Sequence, residues 1–152
     1  MKYFLTLFAL IAGFVMSSAS ISLASPEQEK AFVDGYKKAF ESKDENALTG
    51  FLYTKGSDPE AVGFFKMMMT AEMGGKLTKI ELRDLTPEEV KRAAGTLPTP
   101  DGGQSKLPVT PTKKLVYSVQ SGDANGSSTS TSESFVAQVD GKYLIPVPAR
   151  VK

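Results

Sequence analysis

The sequence predicts an α+β domain in which N-terminal helices pack on a curved antiparallel sheet. Three observations carry that expectation. The stretch from Pro26 to about Ser42 has one apolar stripe at helical spacing. Two more helix starts, at Asp58-Pro59-Glu60 and Thr86-Pro87-Glu88-Glu89, precede Gly95. From Lys113 onward the chain alternates apolar and polar residues, and Asp140-Gly141 is its strongest hairpin signal.

The first 24 residues read as a secretory leader. Lys2 is the basic start, Phe4 to Val15 is an apolar run of 12 residues, and Ser22-Leu23-Ala24 suits a signal peptidase. The run is shorter than the roughly 20 residues that span a bilayer. The expectation is therefore export to a periplasm or the medium, with cleavage near Ala24 and membrane contact only before it. Residues 25–152 form one domain with one core. Loss of Lys2 leaves 17 basic and 17 acidic residues, so nucleic acid is not an expected partner. The chain has no cysteine, which excludes a lipoprotein anchor and disulfides. It also has no histidine, the commonest general base.

In the first helix, Phe32, Val33, Tyr36, Ala39 and Phe40 fall within an arc of roughly 120° at about 100° per residue. Ser25 and Gln28 have capping-box spacing, and Pro26 suits the first helical position. Asp44 caps a short second helix with Leu48 inward, and Lys55-Gly56-Ser57 is a turn. The third helix runs from Pro59 to about Met73 and stops at Gly74-Gly75. Its apolar arc spans about 200° and includes Phe64, Phe65, Met68 and Met69, which predicts cover on two sides or a bordering cavity. Lys76–Leu85 reads as a strand, and Pro87–Ala94 as a short helix with Thr86 and Glu89 as its capping box. The proline-rich stretch Thr96–Thr112 reads as a partly ordered loop over the sheet edge. A hairpin turning at Asp101-Gly102, with Leu107 and Val109 on its return arm, is the alternative. Then come strands at Lys113–Gln120, Ser127–Val139 and Lys142–Val147, the last ended by Pro146 and Pro148.

Three helices followed by antiparallel strands bent over the first resemble the nuclear transport factor 2-like superfamily. The residues that carry the resemblance are Ala31-Phe32-Val33-Asp34-Gly35-Tyr36-Lys37-Lys38-Ala39-Phe40 and the restart Lys43-Asp44-Glu45-Asn46-Ala47-Leu48. The pattern covers about Glu27 to Ala149; the helix at Pro87–Ala94 and the proline-rich stretch depart from it. The resemblance implies a cone-shaped fold. Members include isomerases, dehydratases and non-catalytic binding domains. Their enzymes use pocket Asp, His or Tyr residues, and no catalytic motif matches a position here.

The residues expected to line a pocket are Tyr36, Phe40, Phe65, Met69, Glu72 and Tyr117. Glu72 projects from the apolar arc in the last helical turn, where the macrodipole disfavours its charge. Burial there makes it a general acid or base. The expectation, though, is that the helix frays first and the carboxylate reaches water. Tyr36, Tyr53, Tyr117 and Tyr143 are expected to place rings in the core and hydroxyls at the rim. Met67-Met68-Met69 and Met73 read as core packing rather than a soft-metal site, since no histidine or cysteine supports one. Ser127–Ser134 reads as a solvated strand, with sugar or peptide binding at an exposed edge as the alternative.

No catalytic residue, metal or cofactor is expected. The expected function is non-catalytic binding of a small apolar molecule or a protein partner, a homodimer among them. The alternatives are an isomerase- or dehydratase-like enzyme with Glu72 or Asp84 as proton carrier, and an interaction domain with a filled core.

Overall fold

The computed structural model describes residues 25–99, 101–123 and 126–151; the expected leader, residues 1–24, lies outside them. The element order is α1 (Pro26–Glu41), α2 (Glu45–Thr49), β1 (Leu52–Tyr53), α3 (Pro59–Ala71), β2 (Lys76–Asp84), α4 (Pro87–Ala94), β3 (Leu97–Pro98), β4 (Gln104–Lys106), β5 (Lys113–Asp123), β6 (Gly126–Val139), β7 (Lys142–Pro146) and β8 (Ala149–Arg150). Helix starts are where local chemistry puts them. Ser25 and Gln28 close one capping box, Thr86 and Glu89 another, and Asp44 and Asp58 accept from the first-turn amides of α2 and α3.

The main sheet has the order β1-β7-β6-β5-β2. It is antiparallel except at one edge, where β1 runs parallel to β7. That edge corrects the all-antiparallel expectation. The connection from β1 to β7 takes in most of the chain, which is what a parallel neighbour needs. A register shift between Leu77 and Lys79 bends β2. The β6–β7 hairpin turns at Asp140 and Gly141, both at positive φ, the geometry that matches strand twist.

The stripe of α1 lies on this curved sheet. Phe32, Tyr36, Ala39 and Phe40 are buried, with Tyr36 against Tyr117 of β5 at 5.6 Å between ring centroids and Phe32 against Tyr143 of β7 at 6.0 Å. Phe51 closes the cluster edge-on to Phe32 at 5.3 Å. Each fully buried side chain of this size contributes about 1.5–3 kcal/mol, so this interface, more than helix propensity, holds α1 in place.

Three expectations need correction. The proline-rich stretch is not a loop over the sheet edge. It forms the β3–β4 hairpin, which joins β8 in a second, three-stranded sheet. The return arm is Gln104–Lys106, not Leu107 and Val109, because the Thr99 and Gly103 backbones close the turn earlier. α3 ends at Ala71, and a single 3₁₀ turn, Glu72–Gly74, follows. Finally, of Met67, Met68 and Met69, expected as core packing, only Met69 is buried; Met67 and Met68, like Phe64, are about half exposed on the outer side of α3, which meets the other expectation for it by bordering a cleft. The next helix in the chain does not cover that outer side; α4 packs on the opposite face of the sheet through Glu89 and Arg92.

Candidate functional site

Two places combine polar chemistry with apolar surroundings. The first is built where α3 ends. Gly75 lets the chain press onto β5, since a Cβ there would meet Val119 at 2.3 Å and the Gln120 carbonyl at 3.0 Å. That close approach sets Glu72 above the sheet. Its Oε2 accepts from the Tyr117 hydroxyl, and its Oε1 accepts from Ser132 Oγ at 2.6 Å. Tyr117 and Ser132 are cross-strand partners on β5 and β6, so their side chains share a face. The expected fraying does not occur. The 3₁₀ turn continues the helix, and the two hydroxyls hold the carboxylate partly buried.

The Tyr36 hydroxyl sits beside that of Tyr117. Burial above all pushes the Tyr36 phenol up to about 12; the Tyr117 hydroxyl works against the shift, and the charge of Glu72 adds to it. Tyr117 is raised further, again first by burial, then by Tyr36 and by its bond to Glu72. Both phenols therefore stay protonated at neutral pH. A phenol has one proton to donate, and Glu72 takes that of Tyr117. No Lys or Arg among the described residues lies within ion-pair distance of Glu72; the ion pairs of the sheet are formed elsewhere. The arrangement is a carboxylate held by two neutral donors.

Asp84, the other carboxylate expected from the sequence as a proton carrier, is not part of this cluster. Its side chain is 86% exposed and pairs with Lys113 at 2.7 Å, so it faces water. Tyr143 is buried with no hydrogen-bond partner for its hydroxyl among the described residues.

The second place is a cleft of about 400 Å³ between α3 and the small sheet. Ala61, Phe64 and Phe65 form one wall, and Leu97, Pro98 and Pro148 the other. Its rim is ionic. Arg150 Nε binds Asp58 at 2.5 Å, and Arg150 Nη1 binds Asp101 at 2.7 Å. Hydrogen bonds from Thr99 first, then Arg150, bring the Asp101 carboxyl down to about 2. Asp58 is lowered chiefly by Arg150. The clasp ties the α3 N-terminus to β8 and to the β3–β4 turn, with help from the Asp58 amide on the Pro148 carbonyl at 3.1 Å. A second, more open groove of about 370 Å³ lies between α1, α2 and the β6–β7 turn.

Of the six residues expected to line a pocket, the structure brings five together. Tyr36, Phe40, Met69 and Tyr117 are packed core, and Glu72 is held at its margin. Phe65 packs against that core but also walls the outer cleft. Sequence reading missed Leu97, Pro98 and Arg150, which lie in two-residue strands with no periodicity to detect. Ser132 stood in a stretch read as a solvated strand or a sugar- or peptide-binding edge; nothing local marks it as the partner of a residue 60 positions earlier.

No family model and no curated protein matches the chain. Among solved structures it is similar to an NTF-2-like protein of unknown function from Shewanella oneidensis, with 12% identity, a TM-score of 0.40, and coverage of 84% of this chain and 100% of that one. It is also similar to Aln2 from a Streptomyces species, with 14% identity, a TM-score of 0.37, and coverage of 84% and 94%.

Proposed function

We propose that this is an exported binding protein that takes a small, largely apolar molecule in the cleft between α3 and the small sheet. The observation that carries the reading is Phe64: it stays 54% exposed on a wall of that cleft, across from Leu97 and Pro98. A buried aromatic stabilises the fold, whereas an exposed one facing an apolar cavity stabilises an occupant instead. The cleft's volume falls in the range of small-molecule sites. Titration with the fluorescent apolar probe N-phenyl-1-naphthylamine tests it. Saturable binding at one site is expected, abolished by Phe64→Asp with circular dichroism unchanged. Equal probe binding by wild type and Phe64→Asp sinks the reading.

One observation favours a second reading, an enzyme that moves a proton with Glu72. The carboxylate is held by two neutral hydroxyls, those of Tyr117 and Ser132, and burial keeps the Tyr117 phenol and its neighbour Tyr36 protonated. This reading requires that a substrate reach Glu72. Carbodiimide labelling of the native protein, mapped by mass spectrometry, checks that access. Modification of the exposed Asp84 without modification of Glu72 removes this reading and leaves the first intact.

A further inference from the structure

The cleft between α3 and the small sheet joins apolar walls to an acidic rim. Its lining holds three carboxylates, Asp58, Glu60 and Asp101, and one cation, Arg150, a net charge of −2. Two of the acids are committed to the fold. Asp58 Oδ1 accepts from the Glu60 amide at 2.9 Å and the Ala61 amide at 3.4 Å, and its Oδ2 accepts from Arg150. Asp101 Oδ1 accepts from Thr99 Oγ1 at 2.6 Å, and its Oδ2 accepts from Arg150. Arg150 is committed in turn, with Nε on one acid and Nη1 on the other.

Glu60 differs. Its one ionic contact among the described residues is Arg150 Nη2 at 3.8 Å, too long for a hydrogen bond, and its side chain is 89% exposed. It stands four residues before Phe64 on α3, so the two side chains are neighbours on one helix surface. Both line the cleft, and Phe64 too is more than half exposed. A carboxylate with free lone pairs beside an open aromatic face suits an organic cation, which the acid attracts by charge and the ring by its quadrupole. An anionic head would have to turn to Arg150, which already faces two acids, and would meet three carboxylates at the same rim.

We propose, on the reading of this cleft as the binding site, that its occupant is an organic cation. Its apolar body lies against Phe64, Phe65, Leu97 and Pro98, and its ammonium or guanidinium sits at the rim between Glu60 and the Phe64 ring. The apolar body supplies most of the affinity, and the charge selects among bodies of the same shape. Because the Glu60 carboxylate is well solvated, its attraction is modest and weakens with salt.

Three naphthalenes of nearly one shape test this by displacing N-phenyl-1-naphthylamine. They carry an aminomethyl, a hydroxymethyl or a carboxylate group at the same ring position, and so are cationic, neutral and anionic at pH 7. At low ionic strength the cation is expected to displace the probe at a roughly fivefold lower concentration than the alcohol, and the anion at a higher one. Salt at about 0.5 M narrows the gap between cation and alcohol. Glu60→Lys, at an exposed position, is expected to erase the cation's advantage with circular dichroism unchanged. A cation that displaces no better than the alcohol, or an advantage that survives Glu60→Lys, overturns the charge preference and leaves the cleft standing as an apolar site. Probe binding that Phe64→Asp leaves unchanged overturns both.

Discussion

Glu72 and Glu89 are both carboxylates set over β5, on opposite faces of the same sheet. Glu72 meets Tyr117 and Ser132, both neutral. Glu89 meets Arg83 at 2.7 Å and Lys114 at 2.7 Å, both cations. The bonds from Arg83 first and Lys114 next hold the Glu89 carboxyl far below the usual range. Its charge is therefore committed: it closes the α4 capping box and docks that helix on the sheet. Glu72 has hydrogen bonds of similar geometry but no opposing charge. The comparison teaches that partial burial of an acid does not mark it for chemistry. The partner matters more: the cations beside Glu89 hold its carboxyl ionised and tie it to the fold, whereas Glu72 is held by hydroxyls with no cation beside it.

The comparison can be broken most strongly from the Glu89 side. Lys114→Ala removes an ammonium that is 5% exposed and bridges Glu89 to Glu133. Urea unfolding is expected to show a loss of about 3 kcal/mol, the scale for breaking one partner of a buried pair. A loss no larger than that of an exposed substitution would mean that α4 is not held through Glu89.

The next effect is a pair of pH dependences with opposite signs. Tyr36 is raised from 10.0 to about 12, so its contribution is present below pH 10 and fades as pH rises from there toward 12. About 2 kcal/mol is expected over that window, read as falling urea midpoints alongside the phenolate absorbance. Glu89 is lowered from 4.5, so its contribution is present above that pH and fades as pH falls below it. Acid should therefore release α4 while the aromatic core persists, and alkali should do the reverse.

Tyr117→Phe sharpens the Glu72 half. It keeps the ring against Tyr36 and Phe40 but removes the hydroxyl. A loss of roughly 1–2 kcal/mol is expected for a carboxylate left short of a donor, together with faster carbodiimide modification at Glu72. The smallest effect belongs to Asp84→Asn. With its side chain 86% exposed, the change should stay within about 0.5 kcal/mol, and any catalytic turnover found for the protein should be unaffected.

What could be read in advance follows the range of the forces involved. The caps at Ser25, Asp44, Asp58 and Thr86 act over three residues and were legible where they stand. So was the burial of Phe32, Tyr36 and Phe40, because one helix carries the whole stripe. The alternation of β5 placed Leu115, Tyr117 and Val119 on one face correctly, yet Lys114 and Val116 on the other face are buried too. Alternation identifies which residues share a side; it does not reveal that α4 covers the second one. α3 shows the converse. Its apolar arc promised cover or a bordering cavity; Phe64 and Met68 remain open, and Phe64 walls the cleft.

The sequence by itself determined the helices, the turn at Asp140-Gly141 and the aromatic contact surface of α1, since each rests on neighbours within a few positions. Only the tertiary structure decided that Glu72 is held rather than frayed, because its two donors come from strands 45 and 60 residues away. It alone decided that the proline-rich stretch meets β8 and that Arg150 closes the cleft over Asp58 and Asp101. Two-residue strands carry no period, and an ion pair between distant segments leaves no local trace. Such contacts exist only once the chain has collapsed and brought those segments together.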